Sequence, residues 1–165
     1  MANLILWRHA EAEVQSDSGA DTDRVLTKHG RKDAAKMAEW LDQYLPKNTD
    51  ILCSPAKRCL ETVAALQQPN KTKVKREVKV CDFLSVDSLV SEIFRQVSND
   101  DTSQTILIIG HQPNLGLLLA KLLGMKEGAL VVKKGAVWWL RQRYLPNLDG
   151  GVTQTYLHAV QQPNL

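Results

Sequence analysis

"TILIIGHQPNLG", residues 105–116, is the stretch on which the fold turns. Its first six residues are β-branched or apolar, with no polar alternation. A strand with one wet face alternates, whereas a run like this is covered on both faces, as central strands of parallel sheets are. Pro113 then starts a helix that stops at Gly124.

The same strand-then-helix order recurs outward from this point. Residues 3–7, "NLILW", read as a buried strand. Residues 11–26 are polar and loop-like, with "SDSGADTD" at their centre. Thr27 can cap a helix running to about Leu45, whose Ala34, Ala38, Leu41 and Leu45 keep to one face. "DILCS" (50–54) is a second strand, and Pro55 starts the helix that follows it. "EVKVC" (77–81) alternates as a strand, and "VDSLVSEIFRQVS" (86–98) reads as a helix. "AVWWLRQRY" (136–144) and "VTQTYLHAV" (152–160) form a hairpin across "PNLDGG". This alternation predicts an α/β chain with a mostly parallel sheet and helices on both faces.

At 165 residues the chain fits one domain spanning 1–165. Its 44% apolar and 24% charged residues predict a folded core rather than disorder. No apolar run approaches the roughly 20 residues of a membrane span, so no membrane partner is expected. "MANLILWRHA" has no basic region before its apolar stretch, so a secretory signal is not expected and a cytoplasmic location is. The net charge of +3 suits anionic substrates but is too small to argue for nucleic acid. The most basic stretch, residues 70–80, reads as a solvated turn and a lysine-bearing edge strand. Three cysteines without paired spacing make neither a disulfide framework nor a zinc motif. Cys53 and Cys81 read as small buried hydrophobes. Cys59 adjoins Arg58, which favours a thiolate, though no base is evident beside it.

In a parallel α/β sheet, ligands bind at the carboxyl ends of the strands. Strand one ends in Arg8-His9, strand two runs into "SPAKR" with Arg58, and the central strand ends in Gly110-His111. Two histidines and two arginines therefore converge from segments about 50 residues apart. Guanidinium forks match phosphate oxygens. One neutral imidazole can attack phosphorus, and a second can steady charge or move a proton. Two histidines could also hold zinc, but the adjacent arginines repel a cation and no third ligand stands out. His29, on an exposed helix position, and His158, in the last strand, have no such company.

Four stretches resemble the histidine phosphatase (phosphoglycerate-mutase-like) superfamily, in family order across residues 4–116. "LILWRHAEAE" resembles its RHG signature, and "RVLTKHGRKDA" the L-T-x-x-G-x-x-x-A entry to the first helix. "SPAKRCLET" resembles S-P-x-x-R-x-x-x-T, and "IIGHQPNLG" the second histidine motif. The short length, Ala10 after His9 and the form around His111 are most similar to the SixA-type phosphohistidine phosphatases. The resemblance implies a three-layer α/β/α sandwich. It implies His9 as the phosphorylated nucleophile, Arg8 and Arg58 as phosphate clamps, and His111 as the group that completes the pocket. It implies as partner a phosphorylated protein bearing phosphohistidine. A phosphoryl group accepted by one histidine and cushioned by two arginines and another histidine needs no metal, so no cofactor is expected. A small phosphate ester, or a non-catalytic phosphate-binding role, stays open. Larger relatives carry a glutamate acid after the third strand. Here "VCDFLSVDS" has no obvious equivalent, which leaves Asp82 and Glu11 as the candidates.

Overall fold

A computed structural model describes residues 2–68, 74–98, 103–126, 128–146 and 152–164. Its elements run β1 (Ala2–Arg8), α1 (Lys28–Tyr44), β2 (Thr49–Cys53), α2 (Lys57–Gln67), β3 (Val78–Val80), α3 (Val90–Val97), β4 (Thr105–Gly110), α4 (Asn114–Leu122), β5 (Val137–Leu145) and β6 (Val152–Gln161). Short 3-10 turns at Asp21–Asp23 and Asp82–Leu84 interrupt the loops.

The six strands form one sheet in the order β3-β2-β4-β1-β5-β6. The first four run parallel, and β5 returns antiparallel against β1. β4 is central, and all six of its residues are buried. The unbroken apolar runs follow from cover on both faces. Ile5, Trp7, Leu107 and Ile109 pack with Met37 and Leu41 of α1 and Val63 and Leu66 of α2. Leu4, Leu6, Ile106 and Ile108 pack on the other side with Ile93 and Val97 of α3 and Leu118 and Leu119 of α4. The outcome is the α/β/α sandwich that the alternation and the family resemblance both pointed to.

Several element bounds shift. The helix expected over 86–98 begins only at Val90, after the 3-10 turn at 82–84. The strand expected over 77–81 keeps three residues, because β3 is an edge with a single partner, β2. Its neighbour Cys81 is accordingly only half-buried, not a core residue. Part of the basic stretch, residues 70–73, and the hairpin tip at 147–151 lie outside the described residues. No described helix is long and apolar enough to cross a membrane.

The entry to α1 fixes the loop that follows β1. Thr27 caps the helix by accepting from the Gly30 backbone N–H at 2.9 Å. The Thr27 backbone N–H donates to the Glu11 carbonyl at 3.0 Å. A Cβ on Gly30 would lie 2.0 Å from that same carbonyl oxygen. Only glycine lets the helix seat against the chain two residues past His9. Gly30→Ala is therefore expected to cost about 1–3 kcal/mol, as overpacking does. Denaturant unfolding checks this, and wild-type stability would mean the two segments can separate freely.

Candidate functional site

Strand register places the site. Arg8 lies opposite Gly110 in the β1–β4 ladder, and the His9 N–H donates to the Gly110 carbonyl at 3.1 Å. His9 and His111 thus leave adjacent strands at one level, with ring centroids 5.3 Å apart. β2 is in step too, since Cys53 pairs with Ile109 and the Ser54 N–H donates to the Ile109 carbonyl at 3.0 Å. Arg58 then rises from the first turn of α2. All four residues singled out in the sequence line one pocket of about 280 Å³.

His9 is held in a defined tautomer. Its Nδ1 lies 2.8 Å from the Ala10 carbonyl oxygen. A carbonyl only accepts, so Nδ1 carries the hydrogen and Nε2 keeps its lone pair. Burial pushes the His9 pKa down to about 4, against the help of the Ala10 carbonyl and aided by the charges of Arg58 and Arg8. Burial, followed by the Arg58 charge, pushes His111 to about 3. The pocket therefore holds two neutral imidazoles beside fixed cations. An entering dianion relieves that repulsion and favours protonation.

Polar neighbours hold the rest. His111 Nε2 lies 2.8 Å from the Ser54 hydroxyl. A hydroxyl can donate or accept, so the contact orients the ring in either tautomer. Buried Thr62 accepts from the Ala10 N–H at 3.1 Å and donates to the Arg58 carbonyl at 2.7 Å, tying the two pocket-lining segments together. Arg8 donates to the Val132 carbonyl at 2.7 Å. Gln112 anchors the strap of irregular chain at 130–134, to which Val132 belongs, by donating to the Leu130 carbonyl at 2.9 Å.

Other residues in the pocket were not legible from the sequence. Asp21, Arg24, Gln112 and Lys134 also line it. Arg58 donates to the Asp21 carbonyl at 2.8 Å and to its carboxylate at 2.9 Å. Arg24 pairs with the same carboxylate at 2.8 Å. Burial would raise the Asp21 carboxyl, but Arg58 and Arg24 outweigh it and hold the group below its ordinary range. The only available signal was the polar, Asp-rich composition of the loop.

The two acid candidates fall elsewhere. Glu11 accepts from the Thr27 hydroxyl at 2.8 Å, and neither it nor Asp82 lines the pocket. Cys59 is not the reactive thiol its neighbour Arg58 suggested, because burial pushes it up to about 12. His29 pairs with Asp33 at 3.2 Å on α1, and His158 packs on Trp139. Among the described residues, no group of three His, Cys, Asp or Glu is placed to hold a metal.

Comparisons with known proteins point to one family. The family model described as histidine phosphatase superfamily (branch 1) matches residues 4–84. Phosphohistidine phosphatase SixA of Escherichia coli is 30% identical over 72% of this chain and 73% of its own length. A phosphohistidine phosphatase SixA homolog of Haemophilus influenzae is 29% identical over 76% of this chain and 79% of its own. A solved structure of the protein histidine phosphatase SixA complexed with tungstate superposes with a TM-score of 0.74 at 19% identity. It covers 98% of this chain and 97% of that one. At that identity the likeness speaks for the fold.

The buried neutral histidines make stability depend on pH. Both have folded pKa values below the ordinary imidazole value of 6.5, so the unfolded chain takes up protons first as pH falls. Stability is expected to be intact above about pH 6.5 and to decline toward pH 4. The His9 share is on the order of 3 kcal/mol. Urea midpoints across that range should fall less steeply in His9→Asn. Equal slopes in wild type and variant would show that His9 does not titrate with folding.

Proposed function

Because the chain belongs to the histidine phosphatase superfamily, we propose that it is a phosphatase that removes phosphoryl groups from phosphohistidine on a protein by way of a covalent intermediate on His9. The observation that carries this reading is the His9 tautomer. Its Nδ1–H is committed to the Ala10 carbonyl, which leaves the Nε2 lone pair as a nucleophile in a pocket of cations. The relatives named as phosphohistidine phosphatases support the substrate class.

The steps balance without a metal or cofactor. Nε2 attacks phosphorus, and the substrate's P–N bond breaks. Its electron pair returns to the departing imidazole, which leaves neutral if its other nitrogen is already protonated. His9 now carries the phosphoryl group on Nε2 and a positive charge that the Ala10 carbonyl faces. Arg8 and Arg58 hold the transferring oxygens, and His111 steadies the charge that develops on them. Water then attacks phosphorus, the Nε2–P bond breaks, and phosphate leaves with the proton released to solvent. The arginines supply the positive charge that a metal would otherwise bring.

The charge of the pocket favours a substrate with an easily expelled leaving group over an alkyl ester. Among the described residues that line it, the carboxyl is that of Asp21, which Arg58 and Arg24 hold below its ordinary range and so make a poor proton donor.

His9→Ala is expected to abolish covalent labelling by an aryl phosphate, trapped by an alkaline quench that preserves the P–N bond, while leaving the fold intact by circular dichroism. Label found on His111 would reassign the nucleophile, and no label in the wild type would favour a phosphate-binding module.

Substrate preference is expected to follow leaving-group quality. Phosphohistidine proteins and aryl esters of acidic phenols should turn over about 10²–10⁴-fold faster than serine phosphate, the usual worth of a positioned acid. A panel of kcat/KM values checks this. Efficient alkyl phosphate hydrolysis would support the small-molecule phosphomonoesterase or mutase reading instead.

A further inference from the structure

We propose that Asp21 is an internal counter-anion that occupies the Arg58 seat in the resting pocket and yields it to the incoming phosphoryl group, so that it sets which phosphates enter. The inference rests on the phosphatase reading for its consequence, though not for its test.

Arg58 is the most deeply buried cation of the pocket, with its side chain 3% exposed. A guanidinium so placed is costly to leave unpaired. In the resting protein its two terminal nitrogens are met by one residue. Nη1 donates to the Asp21 carbonyl at 2.8 Å, and Nη2 to the Asp21 carboxylate at 2.9 Å. The second carboxylate oxygen accepts from Arg24 at 2.8 Å. One carboxylate thus bridges two pocket arginines, which is the arrangement a tetrahedral oxyanion would take between them.

The two partners differ in freedom. Arg58 stands in the first turn of α2, its carbonyl tied to Thr62 at 2.7 Å. Asp21 is 57% exposed, in a three-residue 3-10 turn that buries nothing. Separating them therefore moves Asp21. Arg8 is different, because it rests on the neutral carbonyl of Val132. A phosphoryl dianion competes with charge at Arg58 but not at Arg8.

Exchange of one anion for another keeps Arg58 paired throughout. It also subtracts the cost of displacing Asp21 from the affinity of every small phosphate. A substrate that brings contacts beyond the pocket, as a protein does, offsets that cost, whereas free phosphate does not. Asp21 returning to Arg58 would likewise help expel product.

The test measures binding of inorganic phosphate to the 165-residue chain by isothermal titration calorimetry, in wild type, Asp21→Asn and Asp21→Ala. Both variants are expected to bind phosphate at least tenfold more tightly. In steady-state assays with 4-nitrophenyl phosphate, the product inhibition constant and KM should fall together, without a gain in kcat. Phosphate binding that is unchanged or weaker in both variants would overturn the proposal and make Asp21 a residue that merely positions Arg58. Absence of phosphate binding in all three proteins would overturn it as well. A lack of turnover on every phosphate tested would sink the phosphatase reading, while the calorimetric comparison still decides the role of Asp21.

Discussion

The β1–β4 register is the constraint on which the rest depends. Arg8 lies opposite Gly110, and the next residues, His9 and His111, emerge side by side. Side chains in a strand alternate faces, so a slip of one residue would send one partner's side chains to the opposite layer. The register is secured by burial on both sides. Leu4, Leu6, Ile106 and Ile108 must enter one core and Ile5, Trp7, Leu107 and Ile109 the other. The apolar pattern that builds the sandwich is therefore the same pattern that aligns the two imidazoles.

Above that level the site is held by buried polar links rather than by packing. Thr62 joins the chain after His9 to the carbonyl of Arg58, and Ser54 meets the ring of His111. Gln112 steadies the strap whose Val132 carbonyl meets Arg8. Each link satisfies groups that would be costly to bury alone. They also explain residue types in the motif-like segments, since a hydroxyl at 54 or 62 can accept and donate at once.

Charge runs against burial at the pocket. Arginines, a lysine and two imidazoles crowd one end of the sheet, and the imidazoles respond by staying neutral. A neutral His9 is also what the proposed nucleophilic attack would require. The pocket is thus poised for an anion, and in its resting state a carboxylate from its own chain stands in part of that place.

What the sequence determined by itself was whatever depends on local pattern. Two-sided apolar runs marked the strands, and the Thr27 cap and the Ala34–Leu41 face marked α1. Arg8, His9, Arg58 and His111 could be read because each ends a strand or follows one closely, and a strand end in a parallel sheet has one address. Tertiary structure decided what hangs on loops. Asp21 and Arg24 belong to a polar stretch with no periodicity. Asp21 reaches the pocket only because Arg58, 37 residues later, draws it there. Val132 meets Arg8 across 124 residues of chain, and Lys134 lines the pocket from the same strap. Glu11 looked available beside His9, yet the α1 cap claimed it. Strand ends inherit their position from a register set by burial. Loop residues acquire theirs from hydrogen bonds and charge pairs between distant segments, which leave no period in the sequence to read.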